Sequence, residues 1–227
     1  MKYLILVADP DEYAPFTARL AQLNPVSSAL HSFPCTSFDY KSHSCTAVCT
    51  YIGKVNAAAA CCTALCSADF DAVINLGYSG AVSGLLKGDI VAGESYVECD
   101  FDLTPIGYAP GEKTKNRPFV NQADSRLLQA AQRIPGIKTV KLGTGDFFLT
   151  NKVLRDKYRE LFDISAFDME TGAIANACAV FGKPFLSVRK ISDNADDTAS
   201  SDYSTALVRD EKPFGDILIA LLDELSM

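Results

Sequence analysis

The sequence predicts a single α/β domain spanning residues 1–227, with a largely parallel or mixed central β-sheet flanked by helices. Three observations lead there. Short β-branched runs alternate with helical patterns along most of the chain, the arrangement that builds layered α/β sheets. At 227 residues the chain suits one large domain, and it buries enough surface to need no disulfide or metal support. No internal repeat and no Pro/Gly/Ser-rich linker divides it.

Taken in order, the apolar run Tyr3–Ala8 reads as a buried first strand, with the acidic stretch Asp9–Glu12 directly after it. Further strands are expected at Ala47–Tyr51, Ala72–Asn75, Asp89–Val91, Thr139–Thr144 and Pro184–Ile191. Helical patterns cover Pro15–Gln22, Val55–Ser67, Ser125–Arg133, Asn151–Tyr158 and Thr171–Phe181. A last helix, about Pro213–Leu225, follows an acidic, Ser-rich loop and carries apolar residues at helical spacing. The segment Tyr108–Arg117, with Pro110, Gly111 and several charges, reads as an exposed loop.

Composition narrows the function. With 48% hydrophobic and 22% charged residues the chain is an ordinary globular one, which excludes disorder and fibrous architectures. A net charge of -7 without a Lys/Arg run speaks against nucleic acid, whose phosphates need clustered cations. The opening apolar run is far shorter than the roughly 20 residues that cross a bilayer, and it lacks the long apolar core of a signal peptide. The expectation is a cytoplasmic protein with no membrane partner, its eight cysteines reduced. None of these has the paired C-x-x-C spacing of a zinc site, so no metal is expected. Cys61, Cys62 and Cys66 fall in an Ala-rich helical pattern and read as small core residues.

In such folds ligands gather where strands lead into helices. Five junctions therefore stand out: Asp9–Glu12, Gly77–Ala81, Gly145–Leu149, Asp168–Thr171 and Ser192–Asp197. Asp11 and Glu12 suit either helix capping, the commoner use of acids there, or general-base chemistry. The Gly-rich "NLGYSGAVSGLLKGD" is neither a P-loop nor a dinucleotide fingerprint, so it implies close backbone approach rather than a bound phosphate. In "FDMETGAIANA", Glu170 stands where a carboxylate can accept two hydrogen bonds from a sugar diol; first-turn capping is an equal reading. In "SVRKISDNADD", Asp193 follows a strand that carries Arg189. A desolvated Asp there can hold a proton to donate, and an Asx turn is its structural alternative.

Together, "NLGYSGAV…LKGDIV", "DFDLTPIGY", "GTGDFF", "FDMETGAIANAC" and "PFLSVRKISDNAD" resemble the purine nucleoside phosphorylase and nucleosidase superfamily. Within it the sequence is most similar to the bacterial 5′-methylthioadenosine/S-adenosylhomocysteine nucleosidases, from Met1 to about Asp197. The resemblance implies a nucleoside phosphorylase-like fold with a partly barrel-like sheet, a homodimer, no cofactor, and hydrolysis of the N9–C1′ bond of an adenine nucleoside. It makes Asp193 the acid at adenine N7 and Glu12 the base for water. Glu170, beside Met169, would hold the ribose hydroxyls. Phe148 would stack on the purine and Leu149 offer its backbone to it. Ile52 and Ile106 would shape the 5′ pocket, Ile106 across the dimer interface, and Arg189 would lend electrostatic support. Tyr78 departs from the family pattern, which has a small residue there; its ring fills part of the ribose and water region or points away.

The resemblance also separates hydrolase from phosphorylase. The superfamily's phosphorylases carry phosphate-binding arginines at the first junction and just before the Gly-rich turn. Here those places read "ADPDEY" and "INLGY", with Asn75 at the second. Acidic residues at the first junction would repel phosphate and suit a water-activating base. The alternatives are a nucleosidase for another 5′-substituent, such as futalosine, a purine nucleoside phosphorylase, and a non-catalytic nucleoside-binding relative. The third has no need of an acid/base pair.

Overall fold

The computed structural model describes residues 1–115, 118–208 and 213–227. Its strands are β1 (Lys2–Val7), β2 (Val26–Leu30), β3 (Phe33–Tyr40), β4 (His43–Cys49), β5 (Ala72–Ala81), β6 (Ile90–Glu98), β7 (Val120–Gln122), β8 (Ile137–Thr144), β9 (Ala166–Asp168) and β10 (Phe185–Asp193). Its helices are α1 (Pro10–Arg19), α2 (Lys54–Ser67), α3 (Ser125–Arg133), α4 (Lys152–Phe162), α5 (Thr171–Phe181), α6 (Ala199–Val208) and α7 (Phe214–Leu225).

The strands share one mixed sheet, and β5 is its branch point. Leu4–Val7 of β1 run parallel to Val73–Leu76 of β5, and β1 also pairs in parallel with β4. The other edge of β5 takes β10 in parallel from Val73 to Gly80. From β10 the ladder passes to β6, β8 and β9, and β9 returns to β5 at Gly80 and Ala81. That return closes part of the sheet into a barrel, so β5 loses its free edge on both sides.

Residue alternation explains the layers. On β1, Tyr3, Ile5 and Val7 join a core with Phe16 of α1, Leu127 of α3 and Leu218 and Leu222 of α7. Leu4 and Leu6 face the opposite core, built with Ala57, Ala60 and Cys61 of α2 and Ile174 and Cys178 of α5. A strand buried on both faces reads as a continuous apolar run, as β1 does. Among the described residues, no helix is long and apolar enough to cross a membrane.

Several elements depart from the sequence reading. The first helix begins at Pro10, not Pro15, because Asp9 caps it by accepting from the Asp11 N–H at 2.8 Å and Pro10 is preorganised for the first turn. The Gly77–Ala81 stretch is strand rather than loop, held by β10 and β9. The hairpin β2–β3 gave no signal: β2, with sequence VSSAL, is almost entirely exposed and lacks an apolar face. Within the loop expected to be Ser-rich lies α6, whose only fully buried residue is Ala199. Of the three cysteines expected in the core, Cys61 is buried, Cys62 half-buried and Cys66 exposed; all eight cysteines are free thiols. The loop expected at Tyr108–Arg117 is described as far as Lys115, and Arg117 lies outside the described residues.

Candidate active site

All five junctions meet at one cleft that encloses about 630 Å³ including its mouth. Asp9 and Glu12 come from the β1–α1 turn, Tyr78, Ser79 and Gly80 from β5, and Phe147, Phe148 and Leu149 from the segment after β8. Asp168, Met169 and Glu170 come from the β9–α5 turn, Ser192 and Asp193 from the end of β10. Ala8, Ile52, Phe167 and Tyr203 complete the wall. Its lining has five carboxyls and, among the described residues, neither Lys nor Arg.

At two junctions a pair of acids divides two tasks. Asp9 caps α1, which leaves Glu12, three residues on and 6% exposed, to enter the cleft. Asp168 likewise takes the capping work of α5. Its Oδ1 accepts from the N–H groups of Glu170 and Thr171 at 3.0 and 2.9 Å, and from the Thr144 hydroxyl at 2.9 Å. Glu170 is thereby released, its Oε1 accepting the Gly53 N–H at 3.1 Å. The capping reading of Glu12 is thus corrected: helix formation belongs to the aspartate before it.

Asp193 combines both of its readings. Its Oδ1 accepts the Ala195 N–H at 2.8 Å, an Asx turn, and its Oδ2 accepts the Ser192 hydroxyl at 2.6 Å. A register shift between Ile191 and Asp193 sets Asp193 opposite Gly80. A Cβ at Gly80 would stand 2.7 Å from Oδ1, so this glycine makes room for the carboxyl.

Arg189 is 1% exposed and lies behind the cleft instead of in its wall, so it makes no direct contact with the cleft interior. Its Nη2 donates to Asn75 Oδ1 and Thr171 Oγ1, each at 2.6 Å, and its Nε to Thr171 and Ser187 at 3.1 Å. The guanidinium stands 3.3 Å from Asp168 and 3.6 Å from Glu170. Asn75 is accordingly a buried anchor for this cation and donates to the Leu6 carbonyl. Gly77 lets the group close up: a Cβ there would sit 2.5 Å from Arg189 Nη1 and 3.0 Å from Glu12 Oε2.

Burial raises the proton affinity of Glu12, Glu170 and Asp193. Glu12 is pushed up to about 8, chiefly by desolvation and then by the Glu170 and Asp9 carboxyls; Arg189 and the Tyr78 backbone N–H oppose the shift. Glu170 is pushed up to about 7 by desolvation, against the pull of Arg189. Asp193 is raised by desolvation, against hydrogen bonds from Ser192 and Ala195.

Tyr78 turns its ring away from the cleft. It packs edge-on against Phe214 at 5.0 Å and Tyr203 at 5.9 Å, and its hydroxyl donates to the Ala206 carbonyl of α6. Phe148 is 42% exposed at the mouth, and Leu149 and Ile52 line the wall. Ile106 does not reach this cleft: it lies in a short turn at Thr104–Ile106 and is 71% exposed.

Phe167 and Tyr203 escaped the sequence reading, and Phe147 and Ser79 lay within its junctions without a role. Phe147 and Phe167 pack ring to ring at 5.3 Å beneath the cleft. Ser79 carries a buried hydroxyl with no partner among the described residues. Tyr203 meets Phe148 at 5.7 Å, and its hydroxyl donates to Asp9 Oδ2 at 2.8 Å, with Glu12 Oε1 at 3.4 Å. The adjacent acids made Asp9 legible as a junction, whereas Tyr203 sits in a Ser-rich helix whose apolar residues do not gather on one strong face.

The raised Glu12 carboxyl ties stability to pH. An acid whose pKa is higher in the folded chain supports folding while protonated. That contribution is complete below about 4.5 and is lost as pH climbs to about 8, with each unit worth about 1.4 kcal/mol. Glu12→Gln, which never ionises, is therefore expected to melt above the wild type at pH 8.5, the gap shrinking toward pH 4.5. Calorimetric melting across that range checks this; a gap independent of pH would contradict it.

Comparison with known proteins agrees with the architecture. A family model described as the phosphorylase superfamily matches residues 2–222. The 5′-methylthioadenosine/S-adenosylhomocysteine nucleosidase of Geobacillus kaustophilus is 34% identical over 179 residues, 75% of this chain and 76% of that one. The Marinomonas protein of the same name is 37% identical over 152 residues, which is 63% of this chain and 65% of its own length, just under two thirds. Among solved structures, the S. pneumoniae 5′-methylthioadenosine/S-adenosylhomocysteine nucleosidase with a transition-state inhibitor superposes with a TM-score of 0.89 at 27% identity, covering 99% of this chain and all of the other. A futalosine hydrolase mutant of Helicobacter pylori shares the fold, with a TM-score of 0.91 at 22% identity and 99% of both chains covered. The partly closed α/β sheet, the M-E turn before α5 and these relatives together place the chain in the 5′-methylthioadenosine/S-adenosylhomocysteine nucleosidase family of the phosphorylase superfamily.

Proposed function

We propose that this chain hydrolyses the N-glycosidic bond of 5′-methylthioadenosine and S-adenosylhomocysteine, releasing adenine. The observation that carries the reading is the convergence of three buried acids, Glu12, Glu170 and Asp193, on one aromatic-walled cleft. Breaking a nucleoside bond builds positive charge on the ribosyl ring and negative charge on the leaving base. Asp193 gives its proton to adenine N7 and so offsets the second charge. Glu170 accepts from the ribose 2′- and 3′-hydroxyls, and Glu12 takes a proton from the water that attacks C1′. Desolvation suits both proton roles: it raises the proton affinity of Asp193 above that of an exposed aspartate, and Glu12, once ionised, is a stronger base than an exposed glutamate. The developing ribosyl cation favours the ionised form of Glu12 at the moment it is needed.

Phe148 stacks on the purine, Leu149 meets its edge through the backbone, and Ile52 packs against the 5′ group. Arg189 acts from behind the wall, holding Asp168 and Glu170 in place. The absence of a cation from the cleft lining, among the described residues, supports water over phosphate as the nucleophile. The reading extends to a homodimer in which Ile106, exposed in one protomer, enters the 5′ pocket of the other.

The enzyme is expected to release adenine from both thio-nucleosides at the same rate with and without added phosphate. Asp193→Asn is expected to lower that rate by at least about 10²-fold, the lower range for general acid–base catalysis, while keeping the wild-type fold. Phosphate-dependent release would make the chain a phosphorylase, and near-normal activity of the variant would remove Asp193 from the acid role. Release from futalosine alone would reassign the 5′ group. For the dimer, light scattering is expected to give twice the mass of one chain, reduced to one chain by Ile106→Asp; a monomeric wild type would contradict it.

A further inference from the structure

On the nucleosidase reading, hydrolysis leaves the site out of proton balance. Each turnover takes one proton from water onto Glu12 and gives one from Asp193 to the leaving base. The free enzyme is restored only when Glu12 loses its proton and Asp193 regains one. Glu12 is 6% exposed, and burial favours its protonated form, so release into solvent needs a path. The neighbours that face it are Arg189 from β10, Glu170 from the β9–α5 turn, the Tyr78 backbone of β5, Asp9 and Tyr203. Arg189 is a permanent cation fully committed to Asn75, Thr171 and Ser187, and it accepts no proton. Glu170 is equally buried and engaged with Gly53.

Tyr203 and Asp9 differ from these. The Tyr203 hydroxyl lies 3.4 Å from Glu12 Oε1 and 2.8 Å from Asp9 Oδ2, bridging the two carboxyls. Asp9 is half-buried at the wall of the cleft, where solvent reaches it. A phenol has one proton and two acceptor lone pairs. Donating to Asp9, it turns a lone pair toward a protonated Glu12, the arrangement of a hydrogen-bond relay. Asp9 meanwhile keeps its capping bond on the other oxygen, Oδ1, so Oδ2 is available to the phenol. Burial and the two nearby carboxyls raise the Tyr203 pKa, so it passes protons without ionising.

We propose that Tyr203, with Asp9, forms the proton exit that resets Glu12 after each turnover, a role that rests on the nucleosidase reading. Glu12 Oε1–H passes its proton to the Tyr203 oxygen as the Tyr203 proton moves to Asp9 Oδ2, and Asp9 delivers it to solvent. The phenol ends with the proton count it began with, turned for the next cycle. Tyr203 is a positioning and relay residue here, since Glu12 rather than the phenol meets the water.

Rapid-mixing kinetics of adenine release from methylthioadenosine separates the first turnover from later ones. Tyr203→Phe keeps the ring packed on Tyr78 and Phe148 and removes only the hydroxyl. Its first turnover is expected to run at the wild-type rate, followed by a steady state slower by about 10²-fold, the lower range for acid–base proton transfer. Added imidazole buffer, a small proton carrier, is expected to restore that steady state. Asp9→Asn, which keeps the helix cap because Asn caps as well as Asp, is expected to show the same burst and the same rescue. A Tyr203→Phe steady state equal to wild type overturns the relay, and so does equal slowing of burst and steady state, which would make the phenol a mere prop for Glu12. Absence of adenine release from the wild type would instead overturn the nucleosidase reading and the relay with it.

Discussion

Arg189 sits where water does not, and the carboxyls around it depend on that position. A lone buried guanidinium would cost several kcal/mol. Here Asp168 and Glu170 stand within 4 Å, while Asn75, Thr171, Ser187 and the Tyr78 carbonyl take its N–H groups. These partners come from β5, β9, β10 and the turn into α5, so the cation ties together the strands around the cleft. Gly77 completes the arrangement by leaving space for Arg189 and Glu12 together. The site is thus a compromise: burial raises the proton affinity of Glu12 and Glu170, and one cation keeps that rise in check.

Capping explains how so many acids coexist at strand exits. A helix N-terminus attracts a carboxylate, and at two turns an aspartate satisfies that demand before the glutamate beyond it. Asp9 and Asp168 bond backbone N–H groups; Glu12 and Glu170 are left facing the cleft. The pairing also ties fold to site, because each glutamate's direction is set by a cap that the helix itself requires. Asp193, lacking such a companion, serves as its own turn former and holds its second oxygen on Ser192.

Much of this is legible in the sequence. Four of the five strand exits and the exact bounds of α3 and α5 accord with alternation and turn chemistry, whereas the grouping of Glu12, Glu170 and Asp193 was implied only by the family resemblance. What escaped did so for physical reasons. β2 is an exposed edge without an apolar face, and α6 leans on the barrel through few buried side chains. Glycines 77 and 80 look like loop residues, because sequence does not reveal that a missing Cβ is serving a side chain on the neighbouring strand. The sequence does not reveal that Arg189 and Asn75 bond one another inside the closed sheet. Tyr203 was out of reach altogether: it lies 191 residues beyond Glu12, and only the folded barrel brings the phenol to the acid.

The central claim is that three acids act at three different places on one nucleoside. A crystal structure of Asp193→Asn holding methylthioadenosine tests it most directly. The account predicts the purine N7 beside residue 193, both ribose hydroxyls on Glu170, and a water between Glu12 and C1′. A nucleoside bound the other way round, with its base toward Glu12, or one seated outside this cleft, would contradict it.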